Sequence, residues 1–223
     1  MRRTILFIVL GLGLLLLLGL GWYLFVDKKP SQTAATLPLV TTSDHILGDP
    51  AAPIVLVEYC DIDSPYCKSF QTVMEGVIAT YGKTGQVAWV YRHFPLTDQY
   101  ANADTVAEAS ECIAAQGGTN AFFKFIDDVN TVDVSTLTDA SSYTPFTSSL
   151  GIDANTFSTC VSGGTYQPLV EGQAHDALNA GATGAPYTVV FIHGAPSIPI
   201  QGAFSYGQMQ QLIDTLLAKE KGS

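Results

Sequence analysis

A strand-like run that leads directly into a helix start, with a cysteine on each side of the junction, limits the possible fold more than any other stretch. Residues 54–60, Ile-Val-Leu-Val-Glu-Tyr-Cys, have the length and β-rich composition of a buried strand. Ser64 and Pro65 then favour a helix start, because Ser is a preferred N-cap and Pro fits the first helical position. Cys60 therefore ends the strand, and Cys67 lies in the first turn of the helix.

The remaining apolar patterns predict the order of the other elements. Strands are predicted at 54–60, 86–94, 187–193 and 197–201 and helices at 64–81, 154–163, 166–180 and 206–217, with further helical signals from about 99 to 181 and a loop at about 131–149. A strand-helix-strand start implies a parallel pair, and the last two strands predict a hairpin. Pro199 favours an edge position for the final strand, because proline donates no ladder hydrogen bond. The order predicts an α/β fold with an inserted helical subdomain at about 99–181.

The N-terminal 26 residues predict a membrane anchor. Residues 4–26 carry no charge and are rich in Leu, Ile and Val, and a spanning helix needs roughly 20 apolar residues. A cleaved signal peptide, with Ala34 and Ala35 near its cleavage site, is the alternative, but its apolar core is usually only about 7–15 residues long. Residues 27–44 predict a linker, and residues 45–220 predict the folded domain.

Charge and cysteine content restrict the setting of this domain. The net charge of -10 argues against nucleic acid as a partner. Four cysteines suit an oxidising compartment, and Arg2 and Arg3 before the apolar run favour a cytoplasmic N-terminus. We therefore expect a single-pass protein of the cell membrane, with its domain on the extracytoplasmic side.

Six short motifs occur in a fixed order along residues 44–220. They are Asp-His-Ile-Leu-Gly-Asp-Pro-Ala-Ala-Pro at 44–53, Val-Glu-Tyr at 57–59, Ser-Pro-Tyr-Cys at 64–67, Tyr-Arg-His-Phe-Pro-Leu at 91–96, Glu-Cys at 111–112 and Gly-Ala-Thr-Gly-Ala-Pro at 181–186. In these motifs the chain resembles the DsbA-like thiol-disulfide oxidoreductases, particularly the membrane-anchored bacterial ones. The resemblance implies a thioredoxin-like fold and thiol-disulfide exchange, without an added cofactor, on cysteine-containing protein clients. It also implies a membrane redox partner.

The same resemblance implies roles for the residues at the junction. Cys67 matches the family's second active-site cysteine, and Ser64 stands where the family has its attacking cysteine. A hydroxyl cannot form a disulfide, so Ser64 is expected to cap the helix, worth about 1 kcal/mol, or to mark a deliberate Cys-to-Ser replacement. A hydrolase nucleophile would need a base and an oxyanion hole. Pro65 and Tyr66 are expected to contact substrate. Glu58 is expected to assist proton transfer, the alternative being a surface glutamate at a strand edge.

Two further assignments come from the resemblance. Ala185-Pro186 matches the family's cis-proline, which faces the active-site cysteines and binds client backbone; an ordinary trans turn before a strand is the alternative. Cys112 and Cys160 lie in helical segments at points where the family has cysteines, so a structural disulfide is expected between them.

For Cys60 and Cys67 two alternatives stay open. They form a redox-active or redox-sensing disulfide, or they are two independent buried thiols. Cys60 points to the same side of its strand as Glu58, and a bridge requires Cα atoms within about 7 Å of each other. Such a bridge would be more buried than an ordinary active-site disulfide and therefore slow to exchange.

No metal site is expected, because the histidines form no metal-like cluster with the cysteines. The four histidines are His45, His93, His175 and His193. His93 is expected to be structural. Two functions remain: thiol-disulfide exchange through an altered active site, favoured by Cys60, and a redox-inactive peptide-binding module or membrane-complex subunit, favoured by Ser64.

Overall fold

A five-stranded mixed sheet organises the computed structural model, which describes residues 39–41, 43–192 and 195–220. The strands are β1 His45–Leu47, β2 Ile54–Cys60, β3 Val87–His93, β4 Tyr187–Ile192 and β5 Ala195–Gln201. Their spatial order is β1-β3-β2-β4-β5, and β2 pairs with β3 in parallel while every other pair is antiparallel. The predicted parallel pair and terminal hairpin are confirmed, and Pro199 lies on the edge strand β5.

Helices cover both faces of this sheet. They are α1 Pro65–Val77, α2 Ala103–Val129, α3 Thr144–Leu150, α4 Ala154–Ser162, α5 Gln167–Asn179 and α6 Tyr206–Glu220. Apolar side chains of α1, α2 and α6 share one core with alternate residues of the strands. The opposite face of the sheet packs against α5. The helices α2 to α5 form the predicted insert between β3 and β4, so the α/β fold with a helical insertion is confirmed.

Two parts of the sequence prediction differ from the structure. Strand β1 was not predicted, because three residues are too few to show an alternating pattern. The predicted loop at about 131–149 holds two short 3-10 turns, at Val134–Thr136 and Ala140–Tyr143, and then α3. These elements lack an apolar period that would predict them, because they begin at polar residues. The side chains of Asp133 and Asp139 accept backbone N–H bonds there.

The predicted linker at 27–44 overlaps residues that are attached to the domain. Arg92 on β3 donates two hydrogen bonds to the carboxylate of Asp44, at 2.7 and 3.1 Å, and a third to the Leu39 carbonyl at 3.3 Å. The predicted anchor at 4–26 and most of the linker lie outside the described residues. Every helix within the described residues is too short or too polar to cross a bilayer.

Candidate active site

A disulfide joins the strand end to the helix start. Cys60 is the last residue of β2 and Cys67 the third residue of α1, and their Cα atoms are 5.8 Å apart. This separation fits the range that a disulfide requires. Both residues are buried, with 1% and 5% of their surfaces exposed. Of the two alternatives that the sequence left open, the structure therefore has the disulfide.

The helix start around Ser64 differs from the prediction. Ser64 occupies the N-cap position and Pro65 begins the helix, but the Ser64 hydroxyl makes no cap hydrogen bond. That hydroxyl is buried and has no hydrogen-bond partner among the described residues. The expected side-chain cap was therefore wrong, because the hydroxyl is enclosed in the interior without reaching the free N–H groups of the first turn. A separate hydrogen bond at this junction involves the disulfide: the backbone N–H of Asp61 donates to the Cys67 sulfur at 3.2 Å.

Glu58 is part of a row of polar side chains that crosses four strands beneath this disulfide. Glu58 on β2 lies opposite Tyr91 on β3 and opposite Thr188 on β4, and Tyr91 lies opposite His45 on β1. Glu58 is fully buried, which excludes the surface alternative. The oxygens of the Glu58, Tyr91 and Thr188 side chains have no hydrogen-bond partner among the described residues.

Burial changes the acidity of the groups around the disulfide. It raises the pKa of Glu58 to about 8, and the neighbouring indole of Trp89 lowers it only in part, without making a hydrogen bond of normal geometry. Burial also raises the pKa of Tyr91 well above its usual value, and the charges of Glu58, Asp61 and Glu111 add to this shift. The Glu58 carboxyl is therefore protonated at neutral pH.

The carboxyl of Asp61 lies beside the disulfide and has backbone partners. Burial raises its pKa to about 6, although two backbone N–H groups counteract this. Its oxygens accept hydrogen bonds from the N–H of Leu96 at 2.7 Å and the N–H of Asp63 at 2.8 Å. Asp61 thus directs its carboxylate to the backbone and its own N–H to Cys67.

A buried histidine-glutamate-histidine group borders the site and was missed by the sequence analysis. Glu111 on α2 accepts hydrogen bonds from His45 at 3.0 Å and from His93 at 2.9 Å. Burial tends to raise the pKa of Glu111, but the two histidines outweigh burial and lower it to about 2. His93 lies opposite Cys60 in the sheet, so this group adjoins the disulfide. His93 is buried and bonded to Glu111, and its structural role stays a prediction.

The Ala185-Pro186 peptide bond is cis and precedes strand β4. Tyr187 lies opposite Tyr59 in the antiparallel β2–β4 pair, so the register places Pro186 level with Cys60. The Pro186 carbonyl accepts the N–H of Gly202 at 2.9 Å. That oxygen is therefore already used within the protein, and client contact at Ala185 and Pro186 stays a prediction.

The predicted client-contact residues at the helix start differ in exposure from the cysteines. Tyr66 has 66% of its surface exposed and Pro65 is also exposed, whereas Ser64 is 1% exposed. The position at which the resembled family has its attacking sulfur is therefore enclosed, and the two residues after it form the accessible part of the junction.

A family model described as thioredoxin matches residues 40–215, which is most of the chain. The chain belongs to this thioredoxin family. The matched span includes the Cys60–Cys67 junction and the helical insert, so the thioredoxin assignment covers the whole candidate site.

Solved structures with this thioredoxin fold include several DsbA proteins. The α-DsbA1 of Wolbachia pipientis superposes with a TM-score of 0.69 at 23% identity, over 82% of this chain and 94% of that one. DsbA2 of Pseudomonas aeruginosa gives a TM-score of 0.64 at 21% identity, over 80% and 97%. BdbD of Bacillus subtilis gives 0.66 at 17% identity, over 78% and 93%. The resemblance to DsbA-like proteins is confirmed for the fold.

Curated relatives of this thioredoxin-family chain are much longer proteins named Na(+)/H(+) antiporters. NhaA 1 of Mycolicibacterium gilvum is 32% identical over 126 residues, which are 52% of this chain and 20% of that protein. NhaA of Herminiimonas arsenicoxydans is 27% identical over 180 residues, 77% of this chain and 27% of that protein. The chain thus spans about a quarter or less of the length of these two relatives.

A second disulfide lies outside the site, in the helical insert. Cys112 on α2 is joined to Cys160 on α4, 48 residues later, with Cα atoms 5.9 Å apart. The Glu108 carboxylate lies 3.7 Å from the Cys112 sulfur and accepts the N–H of Tyr166. Glu108 and the two sulfurs are close enough to resemble a metal site, but both sulfurs are used in the disulfide and provide no thiolate.

Proposed function

We propose that this protein exchanges thiols and disulfides with client proteins at the Cys60–Cys67 pair. The observation that supports it is a disulfide between a strand end and the first turn of a helix, in a thioredoxin fold, beside buried titratable groups. Cys67 keeps the position of the family's second active-site cysteine. Cys60 replaces the partner that Ser64 cannot provide, because a hydroxyl forms no disulfide.

Glu58 is proposed to carry the proton that this exchange needs. When a client thiolate opens the disulfide, one of its two sulfurs leaves as a thiolate, and an uncompensated anion in the interior is costly. Glu58 lies on the same face as Cys60, two residues earlier, which is about 7 Å along the strand. With a pKa of about 8 it holds a proton at neutral pH and can give it to the Cys60 sulfur. This role matches the one that the family resemblance implied for Glu58.

The burial of the pair indicates slow exchange with large clients. An attacking thiolate needs access to one sulfur, and exchange rates depend on that access. The exposed rim of the site, Pro65 and Tyr66, is where a client segment first makes contact. A redox-sensing role or a narrow set of cysteine-containing clients suits this geometry better than fast general oxidation.

The proposed location is the extracytoplasmic side of the cell membrane, with residues 4–26 as a retained anchor. The length of the apolar run supports it, as do the two disulfides, which persist in oxidising compartments. The similarity to parts of proteins named Na(+)/H(+) antiporters also supports a domain that works at a membrane. We propose that a membrane redox partner returns the Cys60–Cys67 pair to its starting redox state after each exchange with a client. Alkaline carbonate extraction of membranes tests the anchor, since release of the full chain into the wash contradicts it.

The second candidate is a redox-inactive module that binds peptides or serves as a subunit of a membrane complex. Ser64 at the attacking position and the enclosed cysteine pair favour it. In that case the disulfide between Cys60 and Cys67 stabilises the junction and does not open under physiological conditions.

One redox titration separates the two candidates. The full chain, purified in mild detergent, is equilibrated with mixtures of reduced and oxidised glutathione, quenched with acid and alkylated for peptide mass mapping. Thiol exchange predicts that Cys60 and Cys67 convert together between disulfide and dithiol, and that the chain oxidises a reduced dithiol peptide. The double variant Cys60→Ser with Cys67→Ser is the control and should lose this activity. A pair that stays oxidised throughout, with peptide oxidation equal in the control, overturns the proposal.

A further inference from the structure

We infer that Cys67 is the sulfur that exchanges with the client and that Cys60 is the enclosed partner. This inference rests on the proposed exchange at the Cys60–Cys67 pair. In the resembled family the attacking cysteine comes first in the motif and the enclosed one second. In this chain the two roles are therefore exchanged along the sequence, because the cysteine in the helix does the attacking.

The positions of the two cysteines favour Cys67 as the one that a client can reach. Cys60 lies inside the sheet, opposite His93 on β3 and level with Pro186 before β4. Its carbonyl accepts the N–H of Phe94, so the backbone is held at the strand end as well. Cys67 follows the exposed Tyr66 in the first turn of α1, and 5% of its surface is exposed against 1% for Cys60. Because Cys67 lies on the helix turn that carries the exposed Pro65 and Tyr66, we expect a client at this rim to reach its sulfur before that of Cys60.

Hydrogen-bond donors also favour Cys67 as the thiolate. Cys67 is the third residue of a 13-residue helix, where free N–H groups and the helix dipole lower the pKa of a thiol. Ser64 leaves those N–H groups unused, because its hydroxyl makes no cap bond. Independently of the helix, the Asp61 N–H points at the Cys67 sulfur from 3.2 Å. No donor is directed at the Cys60 sulfur within the described part of the chain.

The burial of Cys60 acts in the same direction. On the sheet face that carries Cys60, Glu58 lies on its own strand, Tyr91 and His93 lie on β3, and Glu111 reaches in from α2. Glu111 is ionised, since the histidines hold its pKa at about 2. A thiolate at Cys60 would form in a low-dielectric interior, which disfavours the anion, and the Glu111 carboxylate reaches this region only through the hydrogen bond that it accepts from His93.

Asp61 is the acid that opposes a thiolate at Cys67. Its pKa of about 6 leaves its carboxylate charged at pH 7. However, its two oxygens face the N–H groups of Leu96 and Asp63, which partly neutralise that charge. The Asp61 N–H, not its carboxylate, is the group that faces the Cys67 sulfur.

The step can be written with all atoms accounted for. A client thiolate attacks the Cys67 sulfur, the Cys60–Cys67 bond breaks, and its electron pair goes to the Cys60 sulfur, which takes the proton of Glu58. A second client thiolate then attacks the client sulfur of this mixed disulfide, the client disulfide forms, and Cys67 leaves as a thiolate. The client loses two electrons to the pair and two protons to solvent. One proton returns to Glu58, and the reverse sequence reduces a client disulfide.

Competitive alkylation of the wild-type dithiol tests the inference without any substitution. The full chain in detergent is reduced at the Cys60–Cys67 pair, treated briefly with limiting iodoacetamide at pH 7, and then unfolded and labelled with a heavy-isotope reagent. We expect Cys67 to be alkylated about tenfold faster than Cys60, because helix N-terminal thiols ionise at lower pH. The Cys67 rate should also reach its plateau at lower pH. Equal rates, or faster labelling of Cys60, overturn the inference.

Single-cysteine variants give a second readout with a defined probe. Cys60→Ser and Cys67→Ser each leave one thiol of the pair, and each is mixed with oxidised glutathione. The inference predicts that the Cys60→Ser protein forms the glutathione mixed disulfide at Cys67 and that the Cys67→Ser protein forms little of it. Equal yields in the folded variants, with equal rates after unfolding, contradict it.

The two failures remain distinguishable. If the wild-type pair converts in the glutathione titration but Cys60 reacts first, the assignment of roles is wrong and thiol exchange stands. If the pair never converts, the proposed function fails, whatever the alkylation order of the chemically reduced protein.

Discussion

Glu58 and Tyr91 lie opposite each other on the parallel strands β2 and β3, and the side-chain oxygens of both are buried without a hydrogen-bond partner among the described residues. Buried polar groups in native proteins are usually paired, and an unpaired one costs free energy. This relationship therefore costs stability, and it agrees with the proton-transfer role proposed for Glu58. Both side chains share their sheet face with Cys60, whose sulfur is proposed to receive a proton when the disulfide opens.

Glu58→Gln should change how stability depends on pH. Burial raises the pKa of Glu58 from 4.5 to about 8, so folding opposes its ionisation. Stability is then fully present below pH 4.5 and decreases as pH rises towards 8. At pH 7 the loss from this group amounts to about 3 kcal/mol, at about 1.4 kcal/mol per pKa unit. Urea unfolding at pH 5 and pH 8 should show this decrease in the wild type and a smaller one in the variant.

A neutral glutamine keeps the size of the side chain, so the comparison isolates the charge. The exposed Glu220 at the end of α6 provides the matched control, and Glu220→Gln should follow the wild-type curve. If Glu58→Gln and the wild type lose the same stability between pH 5 and pH 8, then Glu58 is not the group responsible. The same variant should slow opening of the disulfide by glutathione at pH 7, because the proton donor is gone.

Local patterns in the sequence were sufficient for the junction itself. The β-rich run up to Cys60, the Ser64-Pro65 helix start and the strand alternation that puts Glu58 and Cys60 on one face all reflect short-range rules. These rules place the two sulfurs at adjacent element ends. They do not decide whether the sulfurs bond, because a disulfide also requires Cα atoms within about 7 Å, and only the folded junction sets that distance, at 5.8 Å.

Long-range partners could not be predicted. Glu111 meets His45 and His93 only because α2 crosses the sheet near β1 and β3, and β1 itself is three residues long. Nothing in the local sequence of any of the three residues indicates the other two. The hydroxyl of Ser64 is a similar case, since an N-cap residue type predicts a cap bond and only the packing around it shows that the bond is missing.

Glu111→Gln should destabilise the protein at neutral pH. The two histidines outweigh burial and lower the pKa of Glu111 from 4.5 to about 2, so the carboxylate contributes stability above pH 4.5 that is lost as pH falls towards 2. The contribution is about 3 kcal/mol at pH 7, at about 1.4 kcal/mol per pKa unit. Chemical denaturation at pH 7 should show it, with Glu220→Gln again as control. A midpoint equal to that of the wild type would mean that the histidine contacts add nothing.

Removal of the Cys112–Cys160 disulfide should lower stability without affecting the active-site pair. Closing a loop between residues 48 apart is worth about 4 kcal/mol in the chain-entropy model. For a domain of this size the melting temperature should fall by about 8–16 °C in the double variant Cys112→Ala with Cys160→Ala. Calorimetry measures the fall, and the glutathione titration of Cys60 and Cys67 is the internal control. An unchanged melting temperature, or a shifted titration, would show that the two disulfides do not have separate roles.

Ser64→Cys should make a new thiol compete with Cys60 for Cys67. The hydroxyl of Ser64 is buried and unpaired, so a thiol of similar shape replaces it without losing a hydrogen bond. The Cα atoms of residues three apart in a helix are about 5 Å from each other, which is within the range that a disulfide requires. The new loop is about half as long as the Cys60–Cys67 loop, and halving a loop favours closure by about 0.6 kcal/mol, or about threefold.

We therefore expect peptide mapping of the oxidised variant to find Cys67 linked mainly to position 64, with Cys60 as a free thiol that reacts only after unfolding. Ser64→Ala is the control, because it removes the same hydroxyl and adds no sulfur; it should keep the Cys60–Cys67 bond and match or exceed the wild type in stability. If Cys67 remains bonded to Cys60 in nearly all molecules of Ser64→Cys, the folded junction holds Cys67 towards the strand. The helix start then could not revert to the family's usual pairing by this single substitution.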